Sequence, residues 1–213
     1  MTETGIHRIA LGGEWSLQDL YEYPHTYGKG YSFFFNLTQL RDSEDDLIDE
    51  LLLPFRINAW RGGYDAVNFY KQLASRVPRA GRPRLYRVQY ASPGFLDLSL
   101  VVPVAIAVNL AVKAFNARSS ELISNYRNIQ QELRDRKLHS LDVRKRELEL
   151  RKDELQFLDA SADSLGEMLD LPEVSLVREA TGNNSLTTLK VVLAHYRRVR
   201  TLANYAKSGQ AKP

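Results

Sequence analysis

Residues 83–119 read PRLYRVQYASPGFLDLSLVVPVAIAVNLAVKAFNARS. The stretch divides into strand, turn, strand and apolar helix, and that order decides the fold. Tyr86, Val88 and Tyr90 alternate with Leu85, Arg87 and Gln89, the period-two pattern of a half-buried strand. Ser92-Pro93-Gly94 supplies a turn: proline presets the backbone at the first central position, and glycine tolerates the positive φ of the second in a type II turn. Such a turn does not match the twist of a two-residue hairpin, so a slightly longer connection is expected. Beyond it, Leu96, Leu98 and Leu100 alternate with Phe95, Asp97 and Ser99. From Val101 to Phe115 no polar face remains, and Pro103 suits a first helical turn. A helix that is apolar all round is buried in a core or in lipid. The run 98–112 is shorter than the ~20 residues of a membrane span, and Asp97, Asn109 and Lys113 sit awkwardly for one. A buried core helix is therefore expected, with Asn109 bonded inside it. Membrane association through 98–115 is the less favoured alternative.

Upstream, Ile6 to Leu11 is a strand candidate closed by Gly12-Gly13. Pairing with the hairpin would make a sheet of about three antiparallel strands. Ser16-Leu17-Gln18-Asp19 resembles a capping box that starts a helix, and Pro24 is expected to kink or end it. The aromatic segment holds Trp15, Tyr21, Tyr23, Tyr27, Tyr31, Phe33, Phe34 and Phe35. It reads first as core, and second as a stacking platform or a pocket rimmed by phenols. Asp42, Glu44, Asp45, Asp46 and Asp49 lack the alternation and central glycine of an EF-hand loop. Asp42-Ser43 instead reads as the cap of a helix through Leu47, Ile48, Leu51 and Leu52 that stops at Pro54. Arg61-Gly62-Gly63-Tyr64 is a turn. Asp65 then caps a helix with Val67, Phe69, Tyr70, Leu73 and Val77 on its buried side.

Downstream, Leu122, Tyr126, Ile129 and Leu133 share one helical face. Leu141, Leu148, Leu155, Ala162 and Leu169 then recur every seven residues, with Leu158 and Leu165 at the companion position. No proline or glycine lies between Ala117 and Asp163. A continuous helix of about 40 residues, roughly 60 Å long, is expected. Its seam (Leu141, Leu148, Leu155, Leu158 and Leu165) is read as a self-association surface. Leu171-Pro172 ends it. Gly182 to Ser185 is a turn with Ser185 as cap. The last helix carries Leu186, Leu189, Val192, Leu193, Tyr196 and Val199 on one face, with a flexible tail from Lys207. The fold class is α+β dominated by helix: a compact domain over 1–118, a long charged helix over 119–171, and a basic helix and tail over 172–213.

A net charge of +3 gives no bulk attraction for polyanions, and the absence of cysteine excludes disulfides, cysteine zinc sites and thiol nucleophiles. A reducing cytoplasm is compatible with that composition. MTETGIHRIALGG lacks the basic and apolar regions of a secretory signal. His7, His25, His139 and His195 fall in no HExxH motif. The pair Glu22 and His25 has di-iron spacing once rather than twice, with Pro24 between. No metal and no cofactor are expected. The favoured function is a non-enzymatic interaction or adaptor protein that self-associates or docks on a protein partner through residues 119–171. One alternative is a nucleic-acid binder. It would use the segment 76–90, with Arg76, Arg79, Arg82, Arg84 and Arg87 among tyrosines, and the last helix with Arg197, Arg198 and Arg200. The other is a small-molecule enzyme using Asp19, Glu22, His25 and Tyr27, with Arg61 as anion anchor.

Overall fold

The chain forms an antiparallel sheet of four strands, packed on one face by helices. The structure, a computed structural model, describes residues 4–42, 48–58, 60, 63–90, 94–138, 150–171 and 174–212. Strands are β1 (Thr4–Leu11), β2 (Arg84–Gln89), β3 (Gly94–Val101) and β4 (Ala211–Lys212), in spatial order β2-β3-β1-β4. The expected pairing of the first strand with the hairpin is present: Thr4 faces Val101 and Leu11 faces Gly94. The tail is not the free end that its composition suggests, because Ala211 pairs with Leu11 and Lys212 with Ala10.

Helices are α1 (Leu17–Asp42), α2 (Ile48–Ile57), α3 (Gly63–Arg76), α4 (Val102–Ala117), α5 (Ser119–Asp135), α6 (Lys152–Met168), α7 (Val174–Ala180) and α8 (Ser185–Lys207). The capping box forms reciprocally: the Ser16 N–H donates to Asp19 and the Asp19 N–H to Ser16 Oγ. Pro24 and Pro54 both lie inside helices rather than ending them. Proline lacks the N–H that would bond the carbonyl four residues back. Burial of Tyr23, Tyr27, Tyr31 and Phe33 to Phe35 holds α1 together across the break. The cap expected at Asp42-Ser43 falls partly outside the described residues. Helix α8 is capped one residue earlier than expected, by Asn184 Oδ1 accepting from the Thr187 N–H at 2.8 Å.

Three further expectations change. Strand β2 is not half-buried: it is an edge strand, and Leu85, Tyr86, Val88 and Tyr90 are exposed. Helix α4 is not buried all round, since Ile106 and Leu110 face out. No helix among the described residues is long and apolar enough to cross a membrane. The continuous long helix is also absent. Helix α5 ends in a Schellman closure, with Leu138 N–H bonded to Leu133 O and Lys137 N–H to Arg134 O, and Lys137 takes φ 55°. Arg136 then meets Asp153, and Asn125 meets Ser164, so α6 runs back antiparallel along α5.

One hydrophobic core draws residues from all three expected segments. Its axis is α8, which packs on α1, α4 and α6 and buries sixteen residues.

Candidate functional site

Tyr23, Tyr27 and Tyr31 recur every four residues of α1 and therefore share one face. Tyr31 anchors that face: its hydroxyl donates to Gly81 O at 2.7 Å and accepts from the Val101 N–H at 3.0 Å. Asn36 ties the same helix to α3 by donating to Leu73 O at 3.0 Å. Below these two clamps, α1, α3 and the β2–β3 hairpin diverge and leave a cavity of about 820 Å³. Helix α1 contributes Tyr23, His25, Tyr27 and Lys29, and α3 contributes Val67, Tyr70 and Lys71. The hairpin side contributes Leu85, Leu96 and Leu98, with Arg82 beside them. Val67 and Leu85, at 47% and 60% exposure, leave the apolar lining open to solvent.

The electrostatics of this lining are one-sided. Lys29, Lys71 and Arg82 line it, and no Asp or Glu does among the described residues. Burial holds the His25 imidazole below its ordinary pKa, and Lys29 and Arg198 add repulsion. Lys29 is lowered for the same two reasons, burial first and then Arg198. Arg198 of α8 does not line the cavity but lies beside Tyr70, its guanidinium 5.2 Å from the ring centre, and its buried Nε has no partner among the described residues. Positive charge is thus gathered with no carboxylate among the described lining residues to balance it, and His25 and Lys29 are driven toward their neutral forms. Tyr23, Tyr27 and Tyr70 are raised by burial and stay protonated, and their buried hydroxyls have no hydrogen-bond partner among the described residues.

The Asp19, Glu22, His25, Tyr27 group separates. Asp19 is held by Ser16 and accepts from the Tyr205 hydroxyl at 3.0 Å, and Glu22 also acts on Tyr205. His25 stacks on Tyr21 and, with Tyr27, lines the cavity. Arg61 lies outside the described residues. The arginine run serves several ends. Arg76 donates to Glu50 O, Arg82 to Val77 O and Arg84 to Arg79 O, while Arg87 lies over the Phe95 ring. Arg197 and Arg200 are exposed on α8, away from Arg84 and Arg87 in the chain. Of the expected self-association seam, Leu158 and Leu165 are fully buried in the chain's own core and Leu155 is half-buried. Leu141 and Leu148 lie outside the described residues.

The sequence pattern does not mark Lys29 and Lys71 as site residues, and it places Tyr70 on the buried side of its helix rather than in a cavity wall. The available signal was the four-residue spacing of Tyr23, Tyr27 and Tyr31, with Lys29 between the last two; Pro24, Gly28 and Gly30 obscured its helical character. Among the described residues no three His, Asp or Glu side chains gather to hold a metal ion. Comparison of the chain with protein-family models, curated proteins and solved structures finds no match.

Proposed function

We propose that the protein is a binding protein for a small amphipathic anion. The apolar body of the ligand lies against Val67, Leu85, Leu96 and Leu98, and its anionic group sits by Lys29, His25 and Arg198. The observation that carries this reading is a roomy, largely apolar cavity lined by three formal cations and, among the described residues, no carboxylate. The volume falls within the range of about 300–1,000 Å³ usual for small-molecule sites, and an apolar lining with few placed polar groups is their usual composition. An anion here would relieve the mutual repulsion of Lys29 and Arg198. It would also offer acceptors to the unpaired tyrosine hydroxyls, each of which costs about 1–3 kcal/mol while buried without a partner.

A fluorescent anilinonaphthalene sulfonate, itself an amphipathic anion, tests the location. Saturable binding of one probe per chain is expected. Val67→Trp, which fills the mouth from an exposed position, is expected to weaken it by about tenfold or more, equivalent to ~1.4 kcal/mol. Equal binding by the variant, or unsaturable binding by the native chain, would place the probe elsewhere and remove this reading.

A further inference from the structure

Among the described residues, the helices cover one face of the sheet and leave the other open. Registers assign the residues of that open face. Ile6, Arg8 and Ala10 of β1 lie opposite Ser99, Asp97 and Phe95 of β3. Arg84, Arg87 and Gln89 of β2 lie opposite the same three residues of β3, and Lys212 of β4 stands opposite Ala10. A register shift between Leu85 and Arg87 inserts Tyr86 as an extra residue, so that Tyr86 and Arg87 together oppose Asp97. Ile6 is 50% exposed and Tyr86 69% exposed, and Arg84, Arg87 and Lys212 are exposed as well.

Charge and shape on this face point the same way. Four cations, Arg8, Arg84, Arg87 and Lys212, share it with one carboxylate, Asp97. Asp97 is already occupied: Arg8 grips it with two bonds of 2.7 and 2.8 Å. Phe95 stands in the middle, with the Arg8 guanidinium 4.1 Å and the Arg87 guanidinium 5.1 Å from its ring centre. The result is a row of planar groups spread across three strands rather than a pocket. Planar guanidinium and aromatic groups stack on bases, and surrounding cations take phosphates. A folded acidic protein or peptide would use the charges and leave the exposed Tyr86 ring and the Arg8–Phe95–Arg87 row without a role.

We infer that the open face of the sheet binds single-stranded nucleic acid through Arg84, Tyr86, Arg87, Arg8 and Phe95. This surface is separate from the cavity, which lies on the opposite, helix-covered face. It keeps only two members of the sequence segment 76–90 as direct phosphate contacts, Arg84 and Arg87, and does not call on Arg197, Arg198 or Arg200. Each neutralised phosphate contributes about −0.7 to the slope of log affinity against log salt for a single strand. Three or four contacts give a slope of about −2 to −3.

Fluorescence anisotropy of the full chain with a labelled oligo(dT) of about 20 nucleotides tests the inference. Binding is expected at about 50 mM salt, with a fall of roughly tenfold or more by 200 mM. Arg84→Glu with Arg87→Glu is expected to lower affinity at least about tenfold, while Arg197→Glu with Arg200→Glu on α8 changes it by no more than about threefold. Tyr86→Ala, at an exposed side chain that leaves the fold intact, is expected to cost about fivefold or more through lost stacking. It serves as the second variant if the charge reversal alters the circular dichroism spectrum. The inference is overturned by absence of binding at about 50 mM salt, by Tyr86→Ala binding as the native chain does, or by polyglutamate competing as well as unlabelled oligonucleotide.

Discussion

His195 is fully buried, stacked 4.2 Å from the Phe33 ring centre, and neither ring nitrogen has a hydrogen-bond partner among the described residues. Burial, with a smaller contribution from Arg198, pushes its pKa down to about 3. The folded chain therefore keeps a neutral imidazole where the unfolded chain, titrating near 6.5, takes up a proton. Above the unfolded value this costs nothing. Below it, stability falls as the pH falls toward 3, at up to ~1.4 kcal/mol per pH unit. His195→Leu, apolar and of similar size, is expected to remove this acid-side slope and to add about 1–3 kcal/mol by deleting an unsatisfied polar group. Urea denaturation at about pH 8 and about pH 5 checks it, and equal pH dependence in both proteins would contradict it. Nothing in the local pattern marks His195 for burial. The apolar stripe of Leu186, Leu189, Val192, Leu193, Tyr196 and Val199 describes a helix with one covered face, whereas α8 is covered by α1, α4 and α6 together. Likewise Lys29 gains its meaning only from Arg198, far away in the chain and visible only in the fold.

Elements were legible where a local rule governs. The Ser16–Asp19 box, the β3 strand after Pro93-Gly94 and the burial of Phe69, Tyr70 and Leu73 on α3 follow from capping, alternation and helical spacing, whereas Val67, expected on the same buried side, is exposed. Elements were illegible where tertiary packing overrides the rule. Pro24 sits inside α1 because buried Tyr23 before it and buried Tyr27, Tyr31 and Phe33 to Phe35 after it hold the helix in the core. The break carries a conformational cost of up to ~3 kcal/mol relative to alanine in a helix interior. Pro24→Ala is accordingly expected to raise the urea midpoint, by about 1–3 kcal/mol in stability; a lower midpoint would show that the wall of the cavity depends on the proline ring itself. The stop after α5 carries no local sequence signal for a related reason. Left-handed C-caps are usually glycine, and here Lys137 takes that conformation while Leu138 is buried beneath it. Strand β2 alternates as a half-buried strand does. Its apolar residues Leu85 and Val88 are nevertheless exposed, because β2 closes the sheet and Leu85 borders the cavity rather than a packed helix.

The whole molecule depends on its C-terminal helix. Leu202 approaches Gly30 of α1, Tyr205 packs edge-on to Tyr23 and stacks on Trp15, and Tyr196 meets Phe115 of α4. A fragment of residues 1–118 would expose all of these faces and lose β4. It is expected to give no cooperative thermal transition by circular dichroism; a sharp transition with dispersed amide resonances would contradict that dependence. The same helix carries Arg198 to the edge of the cavity, so the core and the proposed anion site share one support. Calorimetric titration of the full chain with dodecyl phosphate and, in parallel, with dodecanol tests the anion site most directly. The phosphate is expected to bind one per chain and at least about tenfold more tightly than the alcohol, a difference of ~1.4 kcal/mol or more. Lys29→Glu is expected to abolish most of that preference. Equal affinity for the two amphiphiles, or no saturable binding of either, would contradict the proposed anion site.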